Sequence, residues 1–266
     1  MSKTAMTKEA VMRATLRNQP IEICGLKFYG MTIERYAEWQ SMKSVLLMRQ
    51  SKLPVLFLTM PFIDAMYALD MQHLEQEHKL AGTMYALLYT MAMSLRLPEG
   101  SVETQQIRIV TAKDGLKGFY VAQQDEAQDI YIPKETFQTI RQVIAWQQGD
   151  DLPDESMNDD LLETEKDIAQ ANAANLNFNF DDLLASLALN MHTRIVNLLD
   201  MTILEFETMR RAIDRDKKYT ICGIAENGGT TWKGGNPCPS WSFDRESKES
   251  GALVSASKFS GITQKD

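Results

Sequence analysis

Long apolar runs are missing from this chain. Nowhere do the roughly 18–20 consecutive apolar residues occur that a helix needs to cross a bilayer, so no membrane-spanning helix is expected. Cysteine is scarce: Cys24, Cys222 and Cys238 are the three in 266 residues. Their odd number and lack of repeated spacing argue against a disulfide scaffold and fit a reducing compartment. Histidine is equally scarce, with three in all. There is no run of Lys or Arg, and the net charge is -8. A protein that binds nucleic acid regardless of sequence needs a basic face to displace counterions, so that class is not expected. The first twenty residues are polar and charged with no apolar core segment, so no secretory leader is expected there.

What is present is globular in kind. Hydrophobic residues make up 44% and charged residues 24%, enough to bury a core. The sixteen methionines exceed ordinary usage. Methionine is flexible, so it either fills gaps or lets a core adapt its packing to partners.

The chain reads as mainly α with a small antiparallel β meander, an α+β arrangement with helical N-terminal and C-terminal parts. Residues 1–149 form a helical body. A short helix is expected over 3–18, ended by Pro20, and a hairpin over 21–29 around Gly25. Thr32 is placed to cap a helix over 33–50, whose broad apolar face predicts burial. Lys52 to Thr59 reads as a linker with a hydrophobic end. Helices follow over 61–78, with Pro61 in the first turn, and over 80–96, with Gly82 at the break. Ile107–Val110, Phe119–Val121 and Ile130–Ile132 have strand character, and they form the meander expected around 101–132. Pro133 opens a helix over 134–147 and Gly149 stops it. Residues 150–180 are an acidic linker, passing into a helix around 159–173, and an Asn-rich turn. Residues 181–227 form a helical C-terminal part, with Asp181 and Asp182 starting a helix over 181–199. The remainder, 228–266, is a Gly/Pro/Trp strip with a tail expected to be disordered in isolation.

The chain is organised around Met201–Phe243. Thr202 followed by Glu205 is the capping-box pattern. Ile203, Phe206, Met209 and Ile213 then recur at helical spacing, predicting a helix over 203–218. Asn227-Gly228-Gly229 would stop it if it continued. Beyond that point glycines together with Pro237 and Pro239 deny regular structure. Trp232, Trp241 and Phe243 sit in this strip and need cover. Either they fold back or they anchor a partner, and Trp232, Pro237, Pro239, Trp241 and Phe243 are the candidate partner-binding residues.

No catalytic constellation stands out, and neither a cofactor nor a metal is expected. His73 and His78 are five apart, about 140° round a helix, whereas a helical zinc pair needs four. His192 among Leu189, Met191 and Ile195 reads as a packed or hydrogen-bonded residue. Cys222 and Cys238 lack a nearby histidine in sequence. Lys233 precedes its glycines, so Lys233-Gly234-Gly235 is no phosphate loop.

Three segments resemble small proteins encoded among the tail-morphogenesis genes of phages and prophages of Gram-positive bacteria: IEICGLKFYGMTIERYAEWQSMKSVLLMRQ, LPVLFLTMPFIDAMYALD and CGIAENGGTTWKGGNPCPSWSFD with the helix before it. They cover about half the chain, and the class they are most similar to is the phage tail assembly chaperone. The resemblance implies a non-enzymatic, largely helical protein of the host cytoplasm that coats the tape measure protein while tail tube subunits polymerise around it. It implies protein partners, with neither nucleic acid nor membrane, and leaves a homo-oligomer open. The length and the central meander depart from the class, which leaves open a structural role in the tail or baseplate.

Overall fold

Helix ends set the layout. In the computed structural model, which describes residues 6–77, 81–113, 115–122, 129–156, 179–232, 235–238 and 240–242, the eight α-helices are α1 (Lys8–Thr15), α2 (Tyr36–Leu46), α3 (Phe62–Glu77), α4 (Thr83–Ser94), α5 (Phe137–Gln147), α6 (Phe180–Asn190), α7 (Ile195–Leu199) and α8 (Ile203–Asn227). Five of them close alike: one or two residues past the cap the chain turns left-handed, and the amide there and the next reach back to the last turn. Asn18, Arg96, Gly149, His192 and Gly229 take that position with positive φ. This arrangement satisfies carbonyls that a helix end otherwise leaves open. The fold is mainly α with two small antiparallel sheets, as the sequence predicts.

Two compact units divide the chain, Met1–Glu207 and Thr208–Asp266. In the first, β1 (Ile21–Ile23) and β2 (Leu26–Phe28) form a hairpin. Its two turn residues, Cys24 and Gly25, both have positive φ, 52° and 79°, which matches the right-handed strand twist. The hairpin is tied down by buried polar groups rather than by further strands. Gln147, fully buried, donates to the Phe28 carbonyl, while Ser94 and Tyr29 exchange bonds between the hairpin exit and the end of α4. α4 is the central helix: Met84, Leu87, Leu88 and Met91 are buried, and it packs against α2 and α3.

β3 (Ile107–Ala112), β4 (Gly115–Val121) and β5 (Ile130–Pro133) make a three-stranded antiparallel sheet with β4 in the middle. The register slips between Val110 and Thr111, whose partners are Gly118 and Leu116, so Lys117 is an extra residue on β4. Its carbonyl accepts the Tyr131 hydroxyl at 2.8 Å. A bulge of this kind sharpens the local twist. Phe119, Ile132 and Phe137, all buried, carry the inner face of the sheet into α5.

A buried carboxylate joins α3 to α4. Asp70, 2% exposed, accepts from the Thr83 and Met84 amides and the Thr83 hydroxyl at 2.9–3.1 Å. Gly82, at φ 83°, cannot cap α4 with a side chain, so the neighbouring helix supplies the cap. Asp70→Ala is expected to cost about 2 kcal/mol, the upper range for a lost helix cap. Urea unfolding checks it, and an unchanged midpoint would show that the cap is dispensable.

Several expectations are corrected. The helix expected over 33–50 is a 3₁₀ turn over Ile33–Arg35 followed by α2, which ends at Leu46. Thr32 makes no side-chain cap. Its backbone instead pairs with Thr202, with Ile33 N donating to Met201 O and Ile203 N to Met31 O. Nor is α2 a buried helix: Trp39 and Leu46, seven apart on one stripe, are its buried residues, and Gln40, Ser41 and Ser44 on the opposite side are exposed. The single helix expected over 181–199 is two, α6 and α7, since His192 at φ 51° closes the first and Arg194 is extended. His192 is exposed in that turn rather than packed. The expected helix around 159–173 lies outside the described residues.

The start of α8 is the well-buried part of the C-terminal run. Ile203, Leu204 and Phe206 are buried, and Phe180 lies against Phe206 and stacks on Tyr36. The Thr202 hydroxyl accepts from the Glu205 amide at 3.2 Å, the first half of the capping box. The helix runs on past 218 to Asn227 and stops at Gly228-Gly229. In the second unit it carries the Asp214–Lys218 pair at 2.7 Å.

Candidate functional site

Among the described residues of the first unit, an apolar loop carries the most exposed hydrophobic side chain, Val55. Val55, Leu56, Leu58 and Met60 are 83, 71, 40 and 36% exposed. Their exposure does not come from a slack backbone. Phe57, 3% exposed, anchors the loop inward, within a 3₁₀ turn over Val55–Phe57. The Gln50 side-chain amide is shared among the carbonyls of Phe57, Leu58 and Met60. The Glu155 carboxylate accepts from the Gln50 and Ser51 amides at the preceding turn. Pro54 and Pro61 fix the backbone at either end of the loop. The loop is therefore braced on its inner side and greasy on its outer side.

A groove of about 730 Å³ opens beside it. One wall is Leu56 and Met60. The other is a face of α3, on which Asp64, Tyr67, Ala68 and Met71 stand at i, i+3, i+4 and i+7. Lys134 closes one end and donates to both Asp64 carboxylate oxygens at 2.9 Å. Beside that ion pair the groove is lined by apolar side chains together with Gln72, Glu75 and Gln76. Concave apolar surfaces with a few placed polar groups bind extended or helical peptide segments and small ligands.

The second unit holds the residues singled out from sequence. Trp241 is 64% exposed and its carbonyl accepts from Arg215 Nε at 3.2 Å. Pro237 is exposed. Trp232 is half-buried, and its indole N–H is buried with no partner among the described residues. Pro239 and Phe243 lie outside the described residues. Ile221 and Ile224 on α8 add exposed apolar surface.

Sequence reasoning passed over the 55–60 loop as a linker end. The signal was present: LPVLFLTMP is apolar without helical or strand period and is closed by prolines at both ends, so neither a helix nor a strand was available to hide it.

The titratable groups with the clearest shifts serve the fold. Burial pushes the Arg141 guanidinium down to about 10. The hydrogen bond to Glu103 pushes the Tyr85 hydroxyl up to about 12. Tyr89 and Arg35 converge on the Glu38 carboxylate as a surface cluster. Among the described residues no group of three or more His, Cys, Asp or Glu is placed to hold a metal ion, and no helix is long and apolar enough to cross a membrane. His73 is half-buried on α3, and His78 lies outside the described residues. Comparison with protein-family models, curated proteins and solved structures found no match.

Proposed function

We propose that the protein is a non-catalytic tail assembly chaperone acting in the host cytoplasm, which binds the tape measure protein and tail tube subunits of a phage during tail morphogenesis. The observation that carries this reading is the braced loop with Val55, Leu56, Leu58 and Met60 turned outward beside the α3 groove. A tape measure protein is an apolar helical chain that needs cover until the tube encloses it. A rigid apolar loop and groove supply that cover at little ordering cost. The net charge of -8 keeps a protein with such a surface soluble. The resemblance of LPVLFLTMPFIDAMYALD to tail-cluster proteins falls on this loop and the first turns of α3.

The test is co-purification with the tape measure protein. Hiding each exposed aliphatic side chain contributes up to about 1.5–3 kcal/mol. Val55→Asp with Leu56→Asp is therefore expected to weaken capture at least about tenfold, or ~1.4 kcal/mol. Both side chains are exposed, so Tm should stay put. Deleting 228–266 is expected to weaken capture as well, through loss of Trp232 and Trp241. Unchanged capture by both variants would sink the reading. Mass spectrometry of purified phage particles separates the structural alternative: a chaperone is absent from them, and a tail or baseplate component is retained.

A further inference from the structure

A smaller pocket of about 230 Å³ in the first unit shares no lining residue with the α3 groove. Its lining is of two kinds. Met31, Met93 and Leu97 are apolar, and the two methionines are buried. Arg35, Arg96 and Thr32 bring hydrogen-bond donors. Arginine carries five N–H groups, and neither of these two arginines uses all of them. Arg35 gives Nε and Nη2 to Glu38 and Nη2 also to Tyr89. Arg96 gives Nη2 to Asn18, with its guanidinium 4.2 Å from the centre of the Tyr29 ring. Both Nη1 groups are without an acceptor among the described residues. Glu38 balances the charge of Arg35, whereas no carboxylate pairs with Arg96 among the described residues. The backbone adds further donors. The amides of Tyr29, Met31 and Ile33 are taken by Ser94, Gln148 and Met201. In extended chain the alternate amides face the opposite edge, and those of Gly30 and Thr32, which also line the pocket, meet no acceptor among the described residues. The Thr32–Thr202 pairing holds one wall, and the left-handed closure of α4 at Arg96, φ 54°, holds the other.

We infer that this pocket binds a small organic carboxylate whose apolar group is about the size of a leucine side chain. The unused guanidinium N–H groups of Arg35 and Arg96 take the carboxylate oxygens in charge-assisted hydrogen bonds, with the Gly30 and Thr32 amides and the Thr32 hydroxyl beside them. Met31, Met93 and Leu97 cover the apolar group. Size sets the class: at roughly 30 Å³ for each water displaced, the pocket offers about eight positions, the heavy-atom count of a branched six-carbon acid. An inorganic anion would leave the methionine and leucine wall uncovered. An uncharged apolar molecule would leave the donors desolvated and unmade. The uncompensated Arg96 selects the ionised acid, because an arginine keeps its charge at every pH at which a carboxylate is ionised. The pocket fills whatever partner the 55–60 loop meets.

The experiment titrates the full-length chain with 4-methylpentanoate and follows the Gly30 and Thr32 amides by proton–nitrogen NMR. 4-Methylpentanamide is the neutral control of equal shape, and inorganic phosphate is the anion without an apolar group. The expected result is saturable movement of both amides with the carboxylate, and binding weaker by at least about tenfold for each control. Arg96→Met keeps the stem and removes the charge, so it should bring the acid down to the level of its amide. Leu97→Trp fills the pocket and leaves every donor in place, so it should abolish the response to all three. N-acetyl-leucine separates two sources of the same chemistry. Tighter binding than 4-methylpentanoate assigns the carboxylate to the last residue of a polypeptide, and weaker binding assigns it to a free acid. In the wild-type chain, absence of saturable movement, or an amide or phosphate that binds as well as the acid, overturns the inference.

Discussion

Gly118→Ala is expected to lower Tm by roughly 10 °C, from a loss of about 3 kcal/mol at 2–4 °C per kcal/mol for a chain of this size. A Cβ at position 118 would stand 2.2 Å from the Ile132 carbonyl oxygen and 2.9 Å from the Tyr131 ring. The first of these is backbone, so no rotamer change relieves it. β5 would have to move away from β4, and the Tyr131 hydroxyl would then leave the Lys117 carbonyl. Ile132, fully buried, would be drawn out with it. The control is Gly223→Ala on α8, where an added Cβ meets nothing within 4 Å. There the helix gains up to about 1 kcal/mol. Thermal unfolding followed by circular dichroism reads both variants. A Gly118→Ala protein melting with the wild type would show that the β4–β5 approach is not as close as described.

Arg141→Met is expected to cost about 3 kcal/mol, because two buried carbonyls lose their donor at about 1–3 kcal/mol each. Arg141 is 4% exposed. Its Nε donates to Leu46 O and its Nη2 to Met48 O, both at 2.7 Å. The Leu46 oxygen is the last carbonyl of α2 and the Met48 oxygen follows its cap, so Arg141 satisfies the chain where the helix ends. The guanidinium lies 3.5 Å from the centre of the Phe62 ring, a desolvated contact worth roughly 2 kcal/mol. Against these gains stands the burial of the charge, which depresses the group to about 10 while leaving it charged at neutral pH. Methionine removes that burial cost and keeps the volume, which holds the net loss to the size given. Arg141→Lys should lose nearly as much, since an ammonium on a flexible stem cannot reproduce the two-pronged geometry. Urea midpoints measure both variants. Wild-type stability in Arg141→Met would mean that burial cost and hydrogen bonds cancel.

How far the sequence could be read follows from where its signals are local. Gly149 and Gly229 mark helix ends because glycine adopts positive φ freely; the first end was foreseen, whereas the second was read only as the stop of a helix continuing past 218. His192 performs the same closure with a side chain that gives no such signal, so α6 and α7 read as one helix. Thr32 carried the pattern of a cap but entered a backbone pairing with Thr202, a residue 170 positions away that no local window contains. The meander was legible because its turns and alternation are local. Of the candidate site, the strip tryptophans were visible as aromatics without regular structure. The 55–60 loop was missed because its bracing by Gln50 and Glu155 is tertiary.

The extra residue at Lys117 has an implication for behaviour at high concentration. A flat, straight β-sheet invites another molecule's chain to lie along its rim, and stacks of such sheets grow into fibres. Here the middle strand carries an extra residue opposite Val110 and Thr111 of the rim strand β3, where the local twist is sharpened. An incoming extended chain would find the first few bonding positions in line and the next ones turned away. The same kink that lets Tyr131 reach over the sheet thus works against edge-to-edge pairing of this sheet between copies of the chain.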